Sequence, residues 1–163
     1  MNAKKLCHLF PFSIVCFFYV SLHFDMNRLQ YWIKAQTQYS VHSPFVFDMY
    51  RKVLFAQLPK ELLQQVLREH ATGCRQYHEL VYKLTDHYHL QQLCYDEDEA
   101  VLQGDPQTFG TVKVVCLPHG SRLRELRWNA QCGNSKYNVS IDLFDVGLLM
   151  SHPKLHKQHF LLK

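Results

Sequence analysis

Three histidines late in the sequence, His152, His156 and His159, are spaced so that a helix would bring their imidazoles together, a ligand set that suits zinc or nickel. Pro153 and the strand-like run from His159 to Leu162 argue against that helix, and no acid or cysteine joins the group. The expectation is a basic hairpin with solvated imidazoles and no metal. His87 and His89 would lie on different faces of a helix, and His42 stands one residue before a helix cap, so local packing is expected of all three. The acids Asp96 to Glu99 offer oxygen ligands for a hard cation. Without the spacing of a calcium-binding loop they read as a solvated acidic turn.

Cysteines stand at 7, 16, 74, 94, 116 and 132, and no two are three residues apart, which leaves no CxxC pair for zinc or redox work. Their irregular gaps and apolar neighbours read as reduced thiols packed as small hydrophobes, in a cytosolic chain. Neither Cys74 nor Cys116 has a His–acid pair beside it in sequence, so nucleophilic chemistry is not expected of them. No phosphate-binding glycine loop, GxSxG elbow or HExxH helix occurs. Asn138-Val139-Ser140 fits the glycosylation sequon, which carries meaning only in a secreted chain.

The elements that must carry these residues are legible from periodicity. Leu29, Trp32, Ile33 and Gln36 predict a short helix with an apolar side. Ser43 as cap and Pro44 at the first position start a second, running to Phe55. Leu62, Leu63, Val66 and Leu67 mark a third, stopped by Gly73; Tyr77, Leu80, Val81, Leu84 and Tyr88 mark a longer fourth that ends near Leu93. Gly104-Asp105-Pro106 is a turn and Thr111 to Leu117 a buried strand. Ser121 caps a helix with Leu123, Leu126 and Ala130 facing inward, ended by Gly133-Asn134. Val139 to Leu143 forms a strand that Val146 to Met150 continues, and His159 to Leu162 returns as the last strand.

With 163 residues, 47% of them hydrophobic and 20% charged, the chain has material for one core, which excludes disordered and collagen-like classes. A net charge of +4 spread along the whole length does not indicate a nucleic-acid partner. The opening differs from the rest: residues 6 to 24 carry no charge and fourteen of the nineteen are apolar. Three readings stay open for residues 1 to 25. They are a leader upstream of a true start at Met26, a membrane anchor, or a signal peptide, with His8, Pro11 and His23 interrupting the run against the last two. The domain is expected to span 26–163, cytoplasmic, or membrane-anchored if residues 6–24 are retained.

Two stretches carry a family resemblance. Tyr31 to Ala35, followed by Val41-His42-Ser43-Pro44-Phe45-Val46-Phe47-Asp48, resembles the opening of a bacterial group of class I S-adenosylmethionine-dependent methyltransferases. Ser140 to Leu148, then Lys157 to Phe160, is similar to the end of the same proteins, which forms the last two strands of their sheet. Ser121 to Cys132, with Trp128, resembles their last helix, and His119 sits like a histidine in their loop after the fifth strand, which makes it the one candidate catalytic residue. The middle departs from the family. Such enzymes hold the cofactor with a glycine-rich turn after the first strand and an acid after the second. Here only residues 94 to 111 lie between the fourth helix and the first clear strand, where one strand–helix–strand unit needs about thirty residues.

The expected fold is therefore α/β: N-terminal helices, then a strand–helix–strand–strand sheet of about three strands, a truncated Rossmann-like methyltransferase fold. The step from 111 to 143 would be a right-handed parallel crossover, with the last strand antiparallel to it. One sheet edge, beside the 111–117 strand, would be open to self-association. The resemblance implies a transferase and S-adenosylmethionine; the missing loop implies that no cofactor binds, that no cofactor-binding residue is identifiable, and that the chain is inactive alone. A non-catalytic interaction or structural protein and a small membrane-tethered protein are the alternatives.

Overall fold

Ser43 does what its sequence position predicts: its Oγ accepts the Val46 N–H, and Pro44 opens the helix behind it. The computed structural model describes residues 28–37, 40–69, 74–107 and 109–163. The chain divides into two units, Met1–Lys34 and Ala35–Lys163. In the first, residues 28–34 form helix α1, in which Tyr31 is buried while Leu29, Trp32 and Ile33 are exposed. The apolar run at 6–24 lies outside the described residues. Among the described residues no helix is long and apolar enough to cross a membrane.

In the second unit, α2 (Pro44–Met49) widens into a π-helical turn over Tyr50–Leu54, where the Phe55 N–H reaches back five residues to the Tyr50 carbonyl. Then come α3 (Lys60–Glu69), α4 (Arg75–Tyr88), β1 (Gln91–Tyr95), β2 (Glu99–Gln103) and β3 (Thr111–Cys116). The chain closes with α5 (Arg122–Gly133), β4 (Val139–Asp142), β5 (Val146–Met150) and β6 (Gln158–Leu161). Of the predicted α3 stripe only Val66 is fully buried, and Gly73 lies outside the described residues. The α4 stripe holds, with Tyr77, Leu80, Val81 and Leu84 all buried.

The architecture is mixed α/β, but the sheet has six strands in the order β1-β2-β3-β5-β4-β6 rather than about three. The difference begins at His89. It takes a left-handed backbone (φ 52°) and ends α4 at Tyr88, so Leu90 turns into the core and 91–95 pairs antiparallel with β2 instead of extending the helix. Strand pairing overrides local helical pattern here. Residues 139–150 are likewise not one strand. Phe144 (φ 70°) reverses the chain, and β5 lies antiparallel between β3 and β4. β3 and β4 therefore run parallel with a strand between them, joined through α5. β6 pairs parallel with β4, not antiparallel. The edges are β1 and β6, and β3 is interior, so the open edge predicted beside it does not exist.

The sheet has two differently covered faces. Ala100, Leu102, Val112, Val114, Ile141 and Leu148 pack with Val46, Met49, Tyr77 and Leu84 of the helical layer. On the other face Trp128 packs with Tyr137 and Leu149. Helix α5 is thus turned differently from its predicted setting: Leu123, Leu126 and Ala130 face solvent, and Trp128 is the residue turned inward. At 100° per residue Leu126 points about 160° away from Trp128, so burying the indole exposes that leucine. Gly147 makes room for the ring, since a Cβ there would lie 2.5 Å from two indole carbons. Residues 36 and 162 form an isolated parallel bridge, and the Tyr50 hydroxyl donates to the Lys163 carbonyl at 2.7 Å.

Candidate functional site

In open α/β sheets ligands bind at the carboxyl ends of parallel strands. At that end of β3 and β4 gather the β3–α5 loop, the β4–β5 turn, the N-terminus of α4 and the β1–β2 turn. Leu117 takes a left-handed backbone (φ 47°) after β3 and accepts the Gly120 N–H at 2.9 Å, and Ser121 then caps α5 through the Arg124 N–H. His119 is carried on this loop.

Its partner is Asp142, a buried charge at the end of an apolar strand, and burial of a charge demands partners. Its partners include the His119 Nε2 at 2.7 Å, the Trp128 indole N–H at 2.8 Å, and the Phe144 backbone N–H at 2.8 Å. The Phe144 ring stacks on His119 at 5.2 Å between centroids. Burial alone would lower the His119 pKa, but the hydrogen bond and charge of Asp142 outweigh it and hold the imidazole above its ordinary value. A carboxylate behind an imidazole fixes its tautomer and stabilises its cation, as a general base requires. Here the same carboxylate also secures the α5 indole and the β4–β5 turn, and the loop's own hydroxyl, Ser121, is spent on the helix cap. The cluster anchors a loop, a helix and a hairpin to one another.

Among the other predicted residues, His159 lies near enough to feel the charges of Asp142 and His119. His152 is not simply solvated: its ring packs 4.6 Å from Phe45, and its backbone is clamped by the Asn138 side chain. His159 Nδ1 lies 2.8 Å from the Ser140 Oγ, and only His156 is exposed without such a contact. The solvated reading is corrected for His152, while His159 is exposed as expected, and among the described residues no three His, Cys, Asp or Glu side chains gather as a metal would require. The acidic turn is also structured. Asp96 accepts the Asp98 and Glu99 N–H groups, Asp98 pairs with Arg124, and Glu99 pairs with Lys113 at 2.6 Å. The Asn138 amide nitrogen of the sequon is spent on the His152 and Leu155 carbonyls.

Comparisons with protein-family models, with curated proteins and with solved structures return no match.

The space beside the carboxyl end of β3 is closed by the β1–β2 turn: the Cys116 N–H donates to the Asp98 carbonyl at 2.8 Å, and Arg124 bridges the Cys116 carbonyl and the Asp98 carboxylate. Gly104 and Gly110 lie at the opposite end of β3, pairing the N–H of one with the carbonyl of the other in a strand-to-strand turn, not a strand-to-helix loop. A cavity of about 370 Å³ at that opposite end is lined by polar groups that bond one another, such as Thr111 to Gln103 at 2.9 Å. Asp142 was the residue sequence reasoning missed, and its signal was an acid inside the apolar run Ile141-Asp142-Leu143-Phe144.

Proposed function

We propose that this chain is a class I methyltransferase-like protein whose cofactor-binding centre has been replaced, and that it acts as a cytoplasmic, non-catalytic interaction or structural protein. One observation carries the reading. The stretch similar to the last helix of those enzymes forms α5, and the stretch similar to their last strands forms the β4–β5 hairpin, while the antiparallel β1–β2 pair stands where strand–helix units would be needed. The Rossmann-like ancestry is thus supported for the β3-to-β5 part alone. His119 and Asp142 keep a dyad's geometry in the service of packing.

Titration calorimetry of the full chain with S-adenosylmethionine tests this. No saturable heat is expected. A dissociation constant near the micromolar range, about −8 kcal/mol, would overturn the reading.

A second reading is favoured by β1. It is paired on one side only, four of its five residues are exposed, and Gln91 to Tyr95 carries no charge to repel a partner strand. Self-association through this edge would appear in sedimentation as a dimer that Leu93→Lys abolishes.

A further inference from the structure

A second pair of reactive side chains meets at the same end of the sheet, and the His119 cluster does not use it. Cys74 occupies the N-cap position of α4, a helix of fourteen residues. Its Sγ lies 3.2 Å from the Gln76 Oε1 and 3.9 Å from the Asp145 carbonyl oxygen. That same carbonyl accepts the Leu117 N–H at 2.8 Å, so one oxygen ties Cys74 to the residue that follows Cys116. Cys74 packs against the core cluster that holds Cys116, the two thiols lie close enough for each to shift the other's protonation, and both are free. The two differ in access: Cys74 is half-buried, Cys116 only 3% exposed.

The surroundings divide the labour between them. The Cys116 thiol, opposed by burial and helped by the Tyr77 and Gln76 backbone N–H groups, brings the Cys74 pKa down to about 6. The Asp145 carboxylate opposes this from the β4–β5 turn. Cys116 is correspondingly held protonated, by Cys74 first and by burial second, with Arg124 of α5 pulling the other way and Tyr77 and Tyr95 nearby. A half-buried thiol of lowered pKa beside a fully buried one is the arrangement of an attacking and a resolving cysteine.

We propose that Cys74 and Cys116 form a reversible, peroxide-responsive dithiol site, with Cys74 as the attacking sulfur and Cys116 as the resolving one. The Cys74 thiolate attacks hydrogen peroxide; an S–O bond forms, the O–O bond breaks, and the departing hydroxide takes up a proton as water. The Cys116 sulfur then attacks the sulfenic Cys74 sulfur. An S–S bond forms, the S–O bond breaks, and hydroxide leaves with the Cys116 proton as a second water. Two thiols and one peroxide give a disulfide and two waters, and an external dithiol reverses the change. The bond would fasten the start of α4 to the end of β3.

The test treats the full chain with hydrogen peroxide and maps its peptides without reduction. A Cys74–Cys116 cross-link lighter by two hydrogens, restored by dithiothreitol and unaffected by Cys94→Ser, is the expected result. In Cys116→Ser, Cys74 should stop at the sulfenic acid and be trapped by dimedone. At about pH 6, iodoacetamide should label Cys74 about tenfold faster than free cysteine: a ~150-fold gain in thiolate fraction set against a ~13-fold loss of intrinsic nucleophilicity. Absence of the cross-link in the unsubstituted chain, a link that runs through Cys94 instead, or labelling of Cys74 no faster than free cysteine would overturn the proposal.

Discussion

Replacing Asp142 with Ala removes the acceptor for three donors at once. The Trp128 indole N–H and the Phe144 backbone N–H are left buried without a partner, at about 1–3 kcal/mol each. The His119 ring is 19% exposed, so water replaces part of what it loses and its share is discounted. The sum is about 3–5 kcal/mol, in line with breaking a buried charged pair, and a large part of the ~5–15 kcal/mol that holds a domain together. The effect depends on pH with a definite sign. Because His119 is held above its ordinary pKa in the folded chain, its pairing with Asp142 stabilises fully below the unfolded imidazole value of about 6.5 and fades as pH rises through the raised folded value. The indole and amide donors do not titrate in this range, so the gap between the two proteins narrows from a pH below the ordinary imidazole value of about 6.5 to one well above it, without closing. Urea unfolding followed by far-ultraviolet circular dichroism at both pH values measures it. A loss below about 1 kcal/mol, or a gap that widens with pH, would refute the assignment of Asp142 as the anchor.

Three further outcomes are expected. Gly147→Ala should cost about 1–3 kcal/mol in unfolding experiments, because its Cβ would lie 2.5 Å from the Trp128 ring; an unchanged midpoint would mean that the indole has room to move. Phe160→Ala should cost about 2 kcal/mol rather than the 3–5 of a fully buried ring, since Phe160 is only partly buried and packs on the main core rather than against Leu123 and Leu126. A chain shortened to begin at Met26 should keep the circular dichroism and melting temperature of the whole; loss of folding would place residues 1–25 within the core.

What the sequence made legible was local. Caps at Ser43 and Ser121, the α4 stripe and the β3 run could be read because one residue's geometry or one period decides them. What it hid was non-local. Gln91-Gln92-Leu93-Cys94-Tyr95 has neither alternation nor β-branching, and it is a strand only because β2 offers it a partner. Leu123 and Leu126 outweighed Trp128 in a pattern count, yet a hydrogen bond to a carboxylate fourteen residues away turned the helix. Cys74 and Cys116 are forty-two positions apart, and no spacing rule brings them together.

The bridge between Gln36 and Leu162 has a consequence for synthesis. The Gln36 N–H donates to Leu161 and its carbonyl accepts from Lys163, so the beginning and the far side of this unit are stitched to each other. A ribosome delivers residue 36 long before residue 162, at about 5–20 residues per second. Until β6 emerges, β4 lacks its parallel neighbour and Tyr50 lacks the carbonyl its hydroxyl bonds. The nascent chain therefore carries an unfinished sheet for several seconds, a window in which a holdase can bind it. The same stitch brings the two ends of the unit within reach of a short linker, so circularly permuted versions opened at the Gly104–Gly110 turn would keep every strand pairing intact.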